Sequence, residues 1–233
     1  MLKKEVITIS ENIFILGAGA SFDAGAPLMN NFLDVAEDLL NNNSFKKCAD
    51  KINKVFQVIS DLHSVYAKSY LNLNNIETLF GILEMATIID KLGNYTSQEI
   101  DDTREALVTL IVKTLEKRVY FPYKRDEGVI PPEVYNSFIT LVKKVGIKKS
   151  SIITFNYDIA LDVALKIRDI NYNYCINKNN NDALRYMKLH GSINWAYCLK
   201  CGEIIPINLK LNRDMMNSPK VIHTNASENI KKV

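Results

Sequence analysis

The sequence predicts an α/β fold: an open, mostly parallel sheet flanked by helices. Two observations carry that prediction. Short β-branched apolar runs, residues 13–16 and 151–155, each end abruptly in a glycine or polar turn. After each turn apolar residues recur at helical spacing, so a strand–turn–helix unit occurs twice. Ligands of such sheets sit at the carboxyl ends of the strands.

Composition fits this class. The 233 residues are 47% hydrophobic and 24% charged, with only 9 Gly and 6 Pro, which excludes collagen-like, low-complexity and disordered chains. A formal net charge of +3 is too small to argue for nucleic acid or anionic lipid, and neither partner is expected. No apolar run approaches the roughly 18 residues of a membrane helix, and the start MLKKEVITISEN lacks a secretory apolar stretch, so a cytoplasmic location is expected. Four cysteines without a regular framework fit reduced thiols better than disulfides.

The elements follow in order. Ile13, Phe14, Ile15 and Leu16 read as a buried strand that meets the turn Gly17-Ala18-Gly19-Ala20-Ser21. The turn is expected to open a helix whose apolar side is Phe32, Val35, Ala36, Leu39 and Leu40. Residues 45–120 stay helical, with core stripes at Val55, Ile59, Leu62 and Tyr66, at Ile76, Leu79, Phe80 and Leu83, and at Leu107, Leu110, Ile111 and Leu115. This block reads as a helical insertion in a single domain spanning 1–233, and as a candidate cap. Pro131-Pro132-Glu133 introduces a helix carrying Val134, Phe138, Leu141, Val142 and Val145, which stops at Gly146. A second buried strand, 151–155, precedes a helix over 158–167. Residues 172–176 and 185–189 read as further strands separated by the polar loop 177–182, and the remainder from Trp195 is turn-rich. Residues 190–233 form a small cysteine-containing C-terminal subregion, expected to be truncated.

Three motifs stand where strands end. Gly17-Ala18-Gly19-Ala20-Ser21 can offer backbone N–H groups and a positive helix end to a pyrophosphate, with Ser21 and Asp23 as added polar groups. Gly25 comes too late for the usual third glycine of a dinucleotide fingerprint, and the alternative is a turn that lets strand and helix pack closely. In Thr154-Phe155-Asn156-Tyr157-Asp158, strand periodicity would point Asn156 and Asp158 to one face. The alternative there is Asp158 capping the next helix. In Lys188-Leu189-His190-Gly191-Ser192, His190 is the one histidine of three at an expected strand end, while His63 sits in a helical stripe and His223 in a polar tail.

Taken in order, GAGAS, TFNYD and LHGS resemble the sirtuin family of NAD-consuming α/β domains. The segment from Asn75-Ile76-Glu77 to Leu83-Glu84 and the run HGSINWAYCLKCG resemble its bacterial branch, found in phage-defence proteins that destroy NAD. The resemblance touches most of residues 13–201. It implies a Rossmann-like sheet, NAD+ as substrate, and a site lined by Gly17, Ala18, Gly19, Ala20, Ser21, Asp23, Thr154, Asn156, Asp158, Gly191 and Ser192. Asn156, Asp158 and His190 would be the catalytic residues.

Departures from the deacylating members favour water as the acceptor. Met29 and Asn30 stand where those members carry Phe-Arg, and Phe155 stands where they carry Gln. The expected activity is therefore NAD+ hydrolysis to nicotinamide and ADP-ribose, in antiphage defence by NAD depletion. Protein deacylation and non-catalytic NAD or ADP-ribose sensing are the alternatives. A free NAD hydrolase would harm its own cell, so a homo-oligomer or a regulatory partner protein is expected to gate it. Cys198 and Cys201 have the spacing of half a zinc site, but no cysteine follows them and Cys175 and His223 lack knuckle spacing. Bound zinc is not expected.

Overall fold

A computed structural model describes residues 11–65, 71–176, 182–198, 200–207 and 230–232. The elements in chain order are β1 (Asn12–Leu16), α1 (Phe32–Asn41), α2 (Ala49–Val65), α3 (Ile76–Ile89), α4 (Ser97–Arg118), β2 (Tyr123–Lys124) and β3 (Gly128–Val129). Then come α5 (Glu133–Val145), β4 (Ser150–Thr154), α6 (Ala160–Ile167), β5 (Tyr172–Asn173), β6 (Leu184–Lys188), β7 (Trp195–Cys198), β8 (Ile204–Pro206) and β9 (Ile230–Lys232). The fold is α/β and Rossmann-like, built on a four-stranded, wholly parallel sheet of order β1-β4-β6-β5.

The chain divides into two compact units. One comprises residues 1–26 with 119–233 and carries the parallel sheet, α5, α6 and a three-stranded antiparallel sheet of order β8-β7-β9. Tyr120 N–H donates to Ala24 O at 2.7 Å, pinning together the points where its chain leaves and returns. The other unit, residues 27–118, is helical: α2 and α3 pack on α4, with Ile52, Val55, Leu79, Leu83, Leu107 and Leu110 fully buried. It begins earlier than residue 45 because α1 also packs on α4.

Parallel strands need crossover connections, and α5 and α6 supply two of them. α5 begins directly after Pro131-Pro132 and stops at Gly146, whose φ of +104° is left-handed-side backbone that favours glycine. Its buried face is Tyr135, Ile139 and Val142, whereas Val134 and Leu141 are exposed, so the apolar stripe is rotated from the expected one. Phe138, a member of the expected stripe, is half-buried and meets Phe14 of β1 edge-on, with ring centroids 5.3 Å apart.

Several expected elements differ. β1 is an edge strand rather than a buried one: Ile13 and Ile15 are 59% and 68% exposed, while Phe14 is half-buried toward α5. β4, paired on both sides, is the buried one, with Ile152 wholly enclosed. β5 stops at Asn173 instead of reaching Ile176, because Asn173 Oδ1 accepts the Cys175 N–H at 2.8 Å and Cys175 turns to φ +59°. The stretch after Trp195 contains strands β7 and β8, and the β2–β3 hairpin, turning at Gly128 with φ +76°, was not expected. The loop residues 177–181 and His223 lie outside the described residues.

Candidate functional site

Sheet register decides where the three motifs go. Leu16 pairs with Thr154 and Thr154 with Lys188, so the last residues of β1, β4 and β6 are side by side. The motifs that follow them therefore share the carboxyl edge of the sheet. Backbone bonds extend the alignment past the strands: Phe155 N–H donates to Leu16 O at 3.3 Å and Leu189 N–H to Thr154 O at 2.9 Å.

The glycine turn opens a 3₁₀ helix, Ala18–Ala24, and not directly the helix that carries Phe32. Gly25 closes it in the left-handed conformation at φ +87°, and Pro27 supplies no N–H to carry a helix onward, which is why α1 starts separately. Gly25 thus acts as a helix stop, consistent with its late position for a fingerprint glycine. The first bond of the 3₁₀ helix runs from Ala20 N–H to Gly17 O at 3.0 Å, so the Ala18 and Gly19 N–H groups precede it. A Cβ added at Gly17 or Gly19 would meet nothing within 4 Å, and neither glycine has a positive φ. Close packing of strand on helix therefore does not require glycine at either position; open approach to the backbone is what they provide.

Asn156 is tied to this turn. Its Nδ2 donates to Gly17 O at 2.8 Å and to Ser21 Oγ at 3.0 Å. Its backbone N–H donates to Thr154 Oγ1 at 3.0 Å, and that hydroxyl donates to Leu16 O at 3.1 Å. Buried Thr154 is thereby a brace between strand tips, and it orients Asn156, whose Oδ1 accepts no hydrogen bond among the described residues.

Asp158 does not share a strand face with Asn156, because β4 ends at Thr154. It is buried, and its Oδ1 accepts the Ala160 N–H at 2.8 Å, capping α6. Both residues nonetheless meet Ser21, whose hydroxyl also hydrogen-bonds Asp158 and Tyr135. Burial pushes the Asp158 carboxyl up, against the pull of the Lys188 ammonium, the Ser21 hydroxyl and the Ala160 N–H. Burial likewise pushes the Tyr135 phenol up, with the charge of Asp158 adding to it.

His190 is exposed and packs edge-on against Phe155, ring centroids 5.4 Å apart. Gly191 takes φ +77° and its N–H donates to Lys188 O at 3.2 Å, so glycine makes the turn that leaves His190 at the tip. Ser192 is turned inward, donating to Asn194 Oδ1 at 2.6 Å, and Asp23 is exposed near the end of the 3₁₀ helix. The register thus gathers Gly17, Ala18, Gly19, Asn156 and His190 along one edge, while Thr154, Asp158 and Ser192 support it from within.

A buried charge pair was missed by sequence reasoning. Lys188, wholly buried, pairs with equally buried Asp162 at 3.1 Å and also donates to Asp158 O. Asp162 further accepts from Tyr186 at 3.0 Å and from Tyr174. A lysine ending a strand on the same alternation as buried Leu184 and Tyr186, with carboxylates four apart in the preceding unit, was the available signal.

Cys198 ends β7, and Cys201 follows in an exposed turn closed by Gly202 at φ +77°. The N–H groups of Cys201 and Lys200 hold the Cys198 thiol below its ordinary range. Among the described residues no group of three or more His, Cys, Asp or Glu side chains is placed to hold a metal. No helix among them is long and apolar enough to cross a membrane. Compared with family models and with curated proteins, the chain matches none.

Proposed function

We propose that this chain is a sirtuin-like NAD+ glycohydrolase that cleaves the nicotinamide–ribose bond with water as acceptor. The observation that supports the reading best is the alignment of three strand tips, which sets an open glycine turn, an amide and an imidazole along one edge. The resemblance of those same three motifs to NAD-consuming domains supplies the substrate.

The chemistry follows from the leaving group. Nicotinamide departs as a neutral ring from a cationic one, so it needs no proton, and positive charge develops on the ribose. The Ala18 and Gly19 N–H groups hold the diphosphate. Asn156, its Nδ2 anchored on Gly17 and Ser21, presents Oδ1 to the attacking water or a ribose hydroxyl. Water adds to the ribose carbon as the glycosidic bond breaks, and His190 takes the water's proton, giving ADP-ribose, nicotinamide and one proton. Asp158, capping α6 and holding Ser21, positions the turn from beneath the site.

The cell setting belongs to the same reading: a cytoplasmic enzyme of antiphage defence that depletes NAD, weakly active as an isolated chain and switched on by self-association or by a regulatory protein. Incubating purified protein with NAD+ and separating the products by chromatography tests it. Nicotinamide and ADP-ribose in equal amounts are expected. Turnover only with an acyl-lysine peptide would make the chain a deacylase, and binding without release of nicotinamide would make it a sensor.

A further inference from the structure

A cavity of ≈ 430 Å³ lies at the β5 edge of the parallel sheet, the edge opposite β1 and its glycine turn. That volume is in the range small-molecule sites occupy. Its walls come from β5 and the turn after it, from the end of α6 and the segment that follows, and from residues flanking β7 and β8. We propose that this cavity is a second ligand site, and that its ligand class is a nucleoside, with the base in an aromatic corner and its polar rim met by the Asn171 amide.

The corner is made by Tyr172 and Tyr174, whose rings are 5.3 Å apart at 74°. A flat ring can stack on one of them while its edge meets the other, an arrangement aromatic groups favour over a face-to-face sandwich. The corner is braced from behind. Tyr174 packs edge-on against Trp195 at 5.2 Å, its hydroxyl is held by buried Asp162, and it accepts from Asn194 Nδ2 at 3.1 Å. A wall fixed in this way loses little side-chain entropy when a ligand binds.

Polar groups at the wall choose the ligand. Asn171, Asn173 and Asn194 all line the cavity; Asn173 and Asn194 are held by Cys175 and by Ser192 and Tyr174, and the exposed Asn171 amide offers the paired donor and acceptor that match a base edge. Ile170, Ile176 and Ile207 supply apolar surface for the ring. Among the described residues no carboxylate lines the cavity and the one ammonium there, Lys166, is exposed, so this lining suits an uncharged ring better than a cation. The inference does not rest on NAD cleavage, because none of these residues belongs to the strand-tip site.

The chain has one tryptophan, Trp195, and it touches the corner, so its fluorescence reports on the cavity. Titrating the full chain with adenosine and with cytidine should give a saturable change for at least one of them. Ile176→Phe, which fills the cavity, should abolish it. Asn171→Ala, which removes an exposed amide and leaves the core untouched, should weaken it roughly five- to tenfold. His190→Ala should leave it unchanged. No saturable change with either nucleoside would overturn the proposal. So would a response that survives Ile176→Phe, one lost in His190→Ala, or a response to tetramethylammonium alone, which would mark an aromatic cage for cations.

Discussion

Two buried carboxylates and one buried ammonium make Asp158, Asp162 and Lys188 an unbalanced trio at the heart of the sheet unit. Removing either member of the paired couple strands a charge, so Asp162→Asn and Lys188→Met should each cost about 3–5 kcal/mol in urea unfolding. Asp158→Asn leaves that couple intact and should change stability by no more than about 1 kcal/mol at neutral pH. The sign of the pH effect is set by burial, which raises the folded pKa of Asp158 above its unfolded value. Its contribution is then full below the ordinary carboxylate range and is lost as pH rises through the folded pKa, a loss that Asp158→Asn should abolish. Equal pH profiles for the two proteins would show that Asp158 titrates normally. His190 belongs to the other class of residue, exposed and spared by the core. His190→Ala should keep the native unfolding transition and lower NAD turnover roughly 10²- to 10⁴-fold, as loss of a general base does. A folded variant with the wild-type rate would remove His190 from the chemistry.

At the level of elements, local signals decide some boundaries and tertiary context the others. Asn75 caps α3, its Oδ1 accepting the Glu77 and Thr78 N–H groups at 2.9 and 3.2 Å. Asn75→Ala should therefore cost about 1 kcal/mol while Asn75→Ser costs less, measured as the shift in unfolding midpoint. α5 was legible for the same kind of reason, since Pro131-Pro132 and Gly146 mark its ends whatever it packs against. Which of its sides is buried was not, because the residues it packs against, Phe14 of β1 among them, lie far away in sequence. β5 ends short of its predicted span, since a left-handed Cys175 held by an Asn173 side chain leaves no trace in periodicity. The strand-tip motifs were legible because each is an apolar run ending in a turn. What joins them is Ser21, which takes Asn156, Asp158 and Tyr135 at once, and no spacing rule foretells a hub of that kind.

For the molecule as a whole, the proposed activity raises the question of restraint, since uncontrolled NAD hydrolysis in a cytoplasm is toxic to its host. A chain that is idle alone and activated by self-association meets that need, and the helical unit suits such a gate best. On α3, Met85, Ile88 and Ile89 are 56%, 75% and 60% exposed, clustered at the last turns of a helix whose other face is core. Burying such side chains against a second copy would remove apolar area from water at roughly 25 cal/mol per Å², and a two-fold contact would do so on both copies. Specific activity should then rise as protein concentration increases from roughly nanomolar to tens of micromolar, the range over which homo-oligomers of ordinary affinity assemble. Ile88→Asp puts a charge in the centre of that face and should move the rise to higher concentration without altering the unfolding of the sheet unit. Turnover measured beside light scattering decides the matter: flat specific activity from a chain that stays monomeric throughout would sink self-association and assign the restraint to another protein.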